Sequence, residues 1–363
     1  MDDFFDQEQD EITNRICNEI EEKNRVLDEY IIDKTAEEAI QVRVHQLALC
    51  KVLVNIHNRN IFLLVRAHCN LGDCYLNNKY YEQAKEHLKI AKRLNGTLIN
   101  QIAAVKEYQI HISLLLGKCH LDENGFDEAI ASLDEALKMN HEIFGEEDIS
   151  NAAIFDIYAQ VCVKRKDYDQ ALEYYSKVWE IVEVTYGMKS EQSGNVFIEI
   201  AKVQDKAKMT DKAIDSQKRA FDIFLEIEHP DHDYVAEVAV TLAEWYENEA
   251  EYEEAIDVYR HAEALYEYCY GVVDKKTAKV KRSVALVLLK DNKYDEALEE
   301  LIEVEELEKT LFGDKSAMVG KTFKVIGSLY MLQQKFAESH EYFMKALQIF
   351  DSQNLIKASR EVK

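Results

Sequence analysis

The 363-residue sequence contains a single proline and only 11 glycines. Because these residues interrupt helices and supply most tight turns, their scarcity leaves little room for strands, long loops or flexible linkers. No apolar run approaches the roughly 20 residues that a membrane-spanning helix requires. Residues 1–6 are acidic and lack the basic start and apolar block of a secretory signal. We therefore predict an almost entirely helical cytoplasmic protein.

Sequence motifs for catalysis, phosphate binding or metal binding are missing as well. The seven cysteines are scattered without a CxxC pair, and no phosphate-binding glycine loop or GxSxG nucleophile turn occurs. His229, Asp231, His232 and Asp233 share one segment, but such residues are ordinary in turns. The net charge of −25 argues against nucleic acids and anionic membranes as partners. We predict a protein that is not an enzyme and has no cofactor, metal or small-molecule substrate.

A small residue recurs at a nearly fixed interval through most of the chain. The anchors are Ala84, Ala129, Ala171, Ala213, Ala255, Ala297 and Ser339, spaced by 45 residues and then by 42 five times. In the first unit, Leu71-Gly72 and Tyr75 precede the anchor, and this spacing places them on one helical face. The pattern predicts two amphipathic helices per unit that touch at small residues. The predicted contact residues are Gly72, Ala84, Gly117, Ala129, Ala171, Ala213, Ala255, Ala297, Gly327 and Ala346.

These units resemble the tetratricopeptide repeat over about residues 65–352, although the usual unit has about 34 residues. Four units end in an aromatic residue followed by glycine, as in Tyr270-Gly271 and Phe312-Gly313, and glycine there is the expected left-handed helix cap. The long period and these endings are similar to kinesin-light-chain-style repeats. The resemblance implies an all-α, right-handed superhelical solenoid of about seven helix pairs with N-terminal capping helices.

A closer resemblance lies near the start of the chain. Residues 66–72 read Arg-Ala-His-Cys-Asn-Leu-Gly, and residues 312–316 read Phe-Gly-Asp-Lys-Ser. Within residues 36–94 the order of motifs resembles the tetratricopeptide repeat protein 23 family, including its "like" paralogue. This resemblance implies a non-catalytic adaptor or structural component of a cilium or flagellum, at the axoneme or the ciliary base.

The repeats divide the chain into four segments. Residues 1–33 carry an amphipathic stripe and are predicted to form a capping helix, with pairing to a partner helix as the alternative. Residues 34–64 are predicted to form a degenerate leading repeat helix, residues 65–352 the seven repeats, and residues 353–363 a basic tail.

Positive charge is concentrated on the first helices of the sixth and seventh units. These helices are expected to line the concave face of the solenoid, which would place Lys279, Arg282, Lys290, Lys321 and Lys324 in its groove. One hypothesis is that they bind an acidic segment of a protein partner; the other is that they neutralise neighbouring acidic helices. The sequence thus predicts a protein-interaction scaffold or adaptor, with a peptide-binding regulatory sensor or a motor cargo adaptor as alternatives.

Overall fold

The computed structural model describes residues 36–57, 61–98, 103–227, 231–353 and 362. These residues form 15 α-helices and include no strand. The helices are α1 Ala36–His57, α2 Ile61–Asn77, α3 Tyr81–Gly96, α4 Ala103–Asp122, α5 Phe126–Ile143, α6 Ser150–Arg165, α7 Tyr168–Tyr186, α8 Glu191–Lys206, α9 Thr210–Glu226, α10 His232–Asn248, α11 Tyr252–Tyr270, α12 Lys275–Lys290, α13 Tyr294–Phe312, α14 Ala317–Leu332 and α15 Phe336–Ser352. The predicted all-helical fold is confirmed.

The chain comprises two compact units, residues 1–185 and 186–363. In the first unit, α1 packs on α2, and the pairs α2/α3, α4/α5 and α6/α7 follow. In the second unit the pairs are α8/α9, α10/α11, α12/α13 and α14/α15. The seven predicted repeats are therefore present as seven helix pairs. The predicted capping helix at residues 1–33 lies outside the described residues, as does most of the tail.

The two helices of each pair approach closely at small residues. All seven anchors are buried, and six of them expose 1% or less of their surface. In α2, a Cβ atom on Gly72 would lie 2.8 Å from the Leu88 side chain, and in α14 a Cβ on Gly327 would lie 2.9 Å from Phe343. Both distances are shorter than real Cβ contacts, so any larger residue would force the Leu88 or Phe343 side chain to shift. The second pair holds Gly117 at this register, where a Cβ would lie 3.0 Å from Leu133, and the next four pairs hold buried alanines at positions 159, 201, 243 and 285.

A second small-residue contact was not anticipated from the sequence. A Cβ on Gly194 in α8 or on Gly320 in α14 would lie 2.7 Å from the ring of Phe224 or Phe350, respectively. The two glycines are three repeats apart in register, and Ala236 and Ala278 fill the positions between them. The start of each first helix in the second unit thus also contacts its partner through a small residue.

Each turn within a pair contains one residue with left-handed backbone. The φ angle is between 61° and 65° at Lys79, Asn124, Lys166, Lys208, Ala250, Asn292 and Gln334. The residue lies five positions before the anchor in every repeat, and none of the seven is glycine. These turns therefore store some backbone strain.

The linkers between pairs use glycine differently. Gly271 has φ 86° and ψ 170°, and Gly313 has φ 84° and ψ 155°. The expected positive φ is present, but ψ is extended rather than that of a left-handed helix cap. This combination is essentially restricted to glycine, because a side chain at such a position would clash with the backbone.

The anchor contact can be tested by overpacking it. Ala255→Leu should lower the free energy of unfolding by about 1–3 kcal/mol, because Ala255 is fully buried between α10 and α11. The control is Ala264→Leu, which adds the same atoms at an exposed position of the same helix. Equal thermal unfolding midpoints for the two variants would contradict the proposed contact.

The two turn types predict opposite effects of glycine. Ala250→Gly should stabilise the protein by about 0.5 kcal/mol, since relief of left-handed strain slightly exceeds the added freedom of the unfolded chain. Gly271→Ala should destabilise it by about 1–3 kcal/mol. Urea unfolding measures both changes, and shifts of the same sign would show that the two backbone conformations have been misassigned.

Candidate functional site

The candidate site is the set of basic residues predicted to line the groove, here called the basic inner face: Lys279, Arg282 and Lys290 on α12 with Lys321 and Lys324 on α14. Helix α12 contains six basic residues and no acidic one, and α14 contains two lysines and no acidic residue. Both helices lie in the second compact unit. The role of each charge depends on whether a carboxylate of the protein already contacts it.

Arg282 is bound inside the repeat. Its guanidinium forms an ion pair with Glu308 of α13, with 3.0 Å between Nε and Oε1, and it also donates to the Thr322 hydroxyl of α14. The Thr322 hydroxyl donates to the other Glu308 oxygen at 2.5 Å. The side chains of Arg282 and Glu308 are only 14% and 2% exposed. Arg282 therefore joins three helices and has little capacity for an external ligand.

The repeat register explains why this ion pair exists. Glu308 occupies the position that holds Phe224, Tyr266 and Phe350 in other repeats, all of them buried. A carboxylate in a core position needs a cation and further hydrogen bonds to offset its lost hydration. Aligning the repeats by their 42-residue interval could have identified Glu308, but the identity of its partner depends on side-chain placement.

Three more lysines of α12 are paired with carboxylates on neighbouring helices. Lys290 lies 2.7 Å from Glu247 of α10, and Lys276 donates to Asp233 at 2.6 Å. Lys281 is held among Glu263, Glu300 and Glu303. The hydrogen bond from Lys276 keeps the pKa of Asp233 below its ordinary value. Much of the charge on α12 thus neutralises acidic neighbours.

Lys279 and Lys321 differ from these residues. They are 42 positions apart and hence equivalent in the two repeats, and both are exposed. Within the described part of the chain neither side chain has a carboxylate partner. Lys324, which is partly buried, lies one helical turn beyond Lys321. The structure therefore places two equivalent lysines on the exposed sides of successive first helices, available to an external anion.

Asp231 and Asp233, which belong to the segment considered as a metal site, have structural roles. The Asp231 side chain accepts hydrogen bonds from the first backbone amides of α10, and Asp233 accepts from Lys276. Among the described residues, no group of three or more His, Cys, Asp or Glu side chains is arranged to hold a metal ion. His229 lies outside them. No described helix has the length and apolarity to cross a bilayer.

Two histidines of the first repeat contact each other. His68 Nδ1 and His87 Nδ1 are 2.9 Å apart, so one ring donates a hydrogen bond to the other. Burial and then the electrostatic effects of His87 and Lys51 lower the pKa of His68 to about 4. Burial also lowers the pKa of His87. Both rings are therefore neutral at pH 7.

This histidine pair should make stability pH-dependent. Between pH 6.5 and 4 the unfolded chain binds a proton at His68 and the folded chain does not, so the free energy of unfolding falls as pH is lowered. The loss between pH 7 and 5 should be at most about 2 kcal/mol. Urea unfolding of wild type and His68→Gln at both pH values measures it. Identical pH-dependent losses in the two proteins would contradict a role for His68.

Family models match several parts of the chain. A tetratricopeptide-repeat model matches residues 108–183, a second matches residues 65–97 and 325–352, and the model of soluble NSF attachment protein, SNAP, matches residues 165–312. No curated protein matches the sequence. Together with the seven helix pairs, these matches show that the chain is built from repeats of the tetratricopeptide type. The closer resemblance to the tetratricopeptide repeat protein 23 family stays a prediction.

Solved structures share the same architecture. The apo form of RapI is 14% identical with a TM-score of 0.59, covering 98% of this chain and 95% of that chain. BtubC (BKLC) from P. vanneervenii is 18% identical with a TM-score of 0.56, covering 66% and 94%. Aspartyl phosphate phosphatase F from Bacillus subtilis is 14% identical with a TM-score of 0.52, covering 83% and 75%. At these identities the likeness shows the fold alone.

Proposed function

We propose that this repeat protein is a non-catalytic adaptor that holds an acidic segment of a protein partner on the basic inner face. The observation that carries the proposal is the pair Lys279 and Lys321, which are exposed, equivalent in register and without a carboxylate partner among the described residues. Lys324 lies one helical turn beyond Lys321. Arg282 contributes little, because it is largely buried against Glu308. Lys290 contacts Glu247 through one of its three donors and is half exposed, so it adds to the face in part.

The overall charge of the protein opposes the binding of an acidic segment. The net charge of −25 repels an acidic ligand at a distance, so the lysines must act at short range. Interactions between exposed charges are screened beyond about 8 Å at physiological ionic strength. Affinity for an acidic segment should therefore be modest and should decrease as salt is raised.

The proposed cellular setting is a cilium or flagellum, at the axoneme or the ciliary base. What supports it is the resemblance of residues 36–94 and 312–330 to the tetratricopeptide repeat protein 23 family. Proximity labelling from the full chain in ciliated cells tests this setting. Enrichment of axonemal or ciliary-base proteins would support it, and a labelled set without ciliary proteins would contradict it.

Charge reversal tests the binding face directly. Lys279→Glu with Lys321→Glu should reduce binding of a fluorescent glutamate-rich peptide at least tenfold, while the unfolding midpoint stays nearly constant because both side chains are exposed. Lys118→Glu with Lys138→Glu is the control, since it makes the same charge change at two exposed positions of the second repeat.

The two double variants must differ if the proposal is correct. Equal loss of binding in both would mean that peptide binding depends only on the net charge of the protein, and unchanged binding in both would exclude the basic inner face.

Arg282→Glu is unsuitable for testing the basic inner face. It places a second carboxylate against buried Glu308 and should cost about 3–5 kcal/mol of stability.

A further inference from the structure

Two clefts of the molecule occupy the same position in different repeats. One cleft, here the basic cleft, has a volume of about 420 Å³ and lies in the second unit. Its lining residues are Lys309, Asp314, Lys315, Phe323, Lys345, Gln348, Ile349 and Ser352. The other, the acidic cleft, has a volume of about 560 Å³ and lies in the first unit. It is lined by His141, Glu146, Glu147, Phe155, Lys177, Glu180, Ile181 and Val184.

Every lining residue of one cleft has its counterpart 168 residues away in the other, which is four repeat intervals. Each cleft is therefore a product of the repeat geometry. It forms where a linker, the start of a first helix and the end of the following second helix meet. The two clefts differ from the basic inner face in position, so a ligand bound in either cleft does not require the proposed function.

Both clefts combine an apolar floor with a lysine over an aromatic ring. In the basic cleft, Lys309 Nζ and Lys345 Nζ lie 5.5 Å and 6.0 Å from the centre of the Phe323 ring. In the acidic cleft, Lys177 Nζ lies 5.3 Å from the centre of the Phe155 ring. Phe323 and Ile349 are largely buried, so they form a fixed apolar surface at the base of the basic cleft.

The charge of the two clefts is opposite. Three lysines and one aspartate line the basic cleft, whereas one lysine and three glutamates line the acidic cleft. Lys309 and Lys345 each contact one carboxylate, Glu305 at 2.5 Å and Glu341 at 2.6 Å. An ammonium group has three donors, so both can still bind a ligand. Lys315 is exposed and has no carboxylate partner within the described residues.

We propose that the basic cleft of the seventh repeat is a docking site for an acidic polypeptide segment that carries an aromatic side chain. The aromatic side chain packs on Phe323 and Ile349, and the flanking carboxylates accept hydrogen bonds from Lys309, Lys315 and Lys345. The volume of the cleft lies within the range of sites that enclose small ligands. The acidic cleft is formed at the equivalent register and does not bind this segment, because its three glutamates repel it.

The test measures fluorescence anisotropy of a labelled Glu-Glu-Phe-Glu-Glu peptide with the full chain carrying Lys279→Glu and Lys321→Glu, so that the basic inner face does not contribute to binding. Ser352→Trp should weaken binding at least tenfold by filling the basic cleft without changing its charge. Val184→Trp, at the equivalent exposed position of the acidic cleft, should have no effect. Lys315→Glu should weaken binding about tenfold, roughly the effect of one lost charge-assisted hydrogen bond.

Changes to the peptide and to the acidic cleft distinguish the basic cleft from other binding surfaces of the protein. Replacing the phenylalanine of the peptide by alanine should weaken binding at least fivefold. Glu146→Lys with Glu147→Lys should give the acidic cleft measurable affinity, restoring binding in the Ser352→Trp protein. Equal effects of Ser352→Trp and Val184→Trp would overturn the proposal.

Two further outcomes would also overturn it. If inorganic phosphate at millimolar concentration displaces the peptide completely and the alanine peptide binds equally well, the cleft binds anions only. If sedimentation shows self-association of the wild type that Ser352→Trp removes, the occupant is a second copy of this chain.

Discussion

Every helix pair depends on a close approach between its two helices at small residues. At Gly72 and Gly327 the Leu88 and Phe343 side chains fill the space that a Cβ would occupy. Repeats with slightly more room hold alanine at the same register. Leucine, tyrosine and phenylalanine then fill the space beyond the contact. Since the contact recurs every 42 residues, the linkers and turns repeat with it, including the seven left-handed turn residues.

The same repetition determines where charges lie. A side chain at a given register has similar surroundings in each repeat, so a change of residue type can change the charge there while the helix pair is retained. Glu308 replaces an apolar core residue and is neutralised by Arg282. Lys279 and Lys321 occupy an exposed register and keep their charge available. The two register-equivalent clefts show this most clearly, since one is basic and the other acidic.

The repeat interval was sufficient to predict the helix pairs and most of their contacts, because a small residue that recurs at this spacing is typical of stacked helix pairs. It missed the contacts of Gly194 and Gly320, since alanine occupies the intervening repeats and the close approach to Phe224 and Phe350 depends on side-chain placement. The sequence also could not show that Arg282 is bound inside the protein whereas Lys279 is available to a ligand. Both are basic residues of one helix, and only the placement of Glu308 across the helix interface shows which one is bound internally. At Gly271 positive φ followed from glycine itself, but ψ did not, because glycine allows both left-handed and extended values.

Hydrogen exchange of individual backbone amides tests the central claim most directly. Amide protection reports how much local structure must open, so it should rise and fall with a 42-residue interval along the described repeats. The maxima should coincide with the buried anchors such as Ala171, Ala255 and Ala297, and the minima with the linkers that contain Gly187, Gly271 and Gly313. Protection without this interval, or anchors that exchange as fast as linkers, would contradict an architecture built on close contacts between small residues.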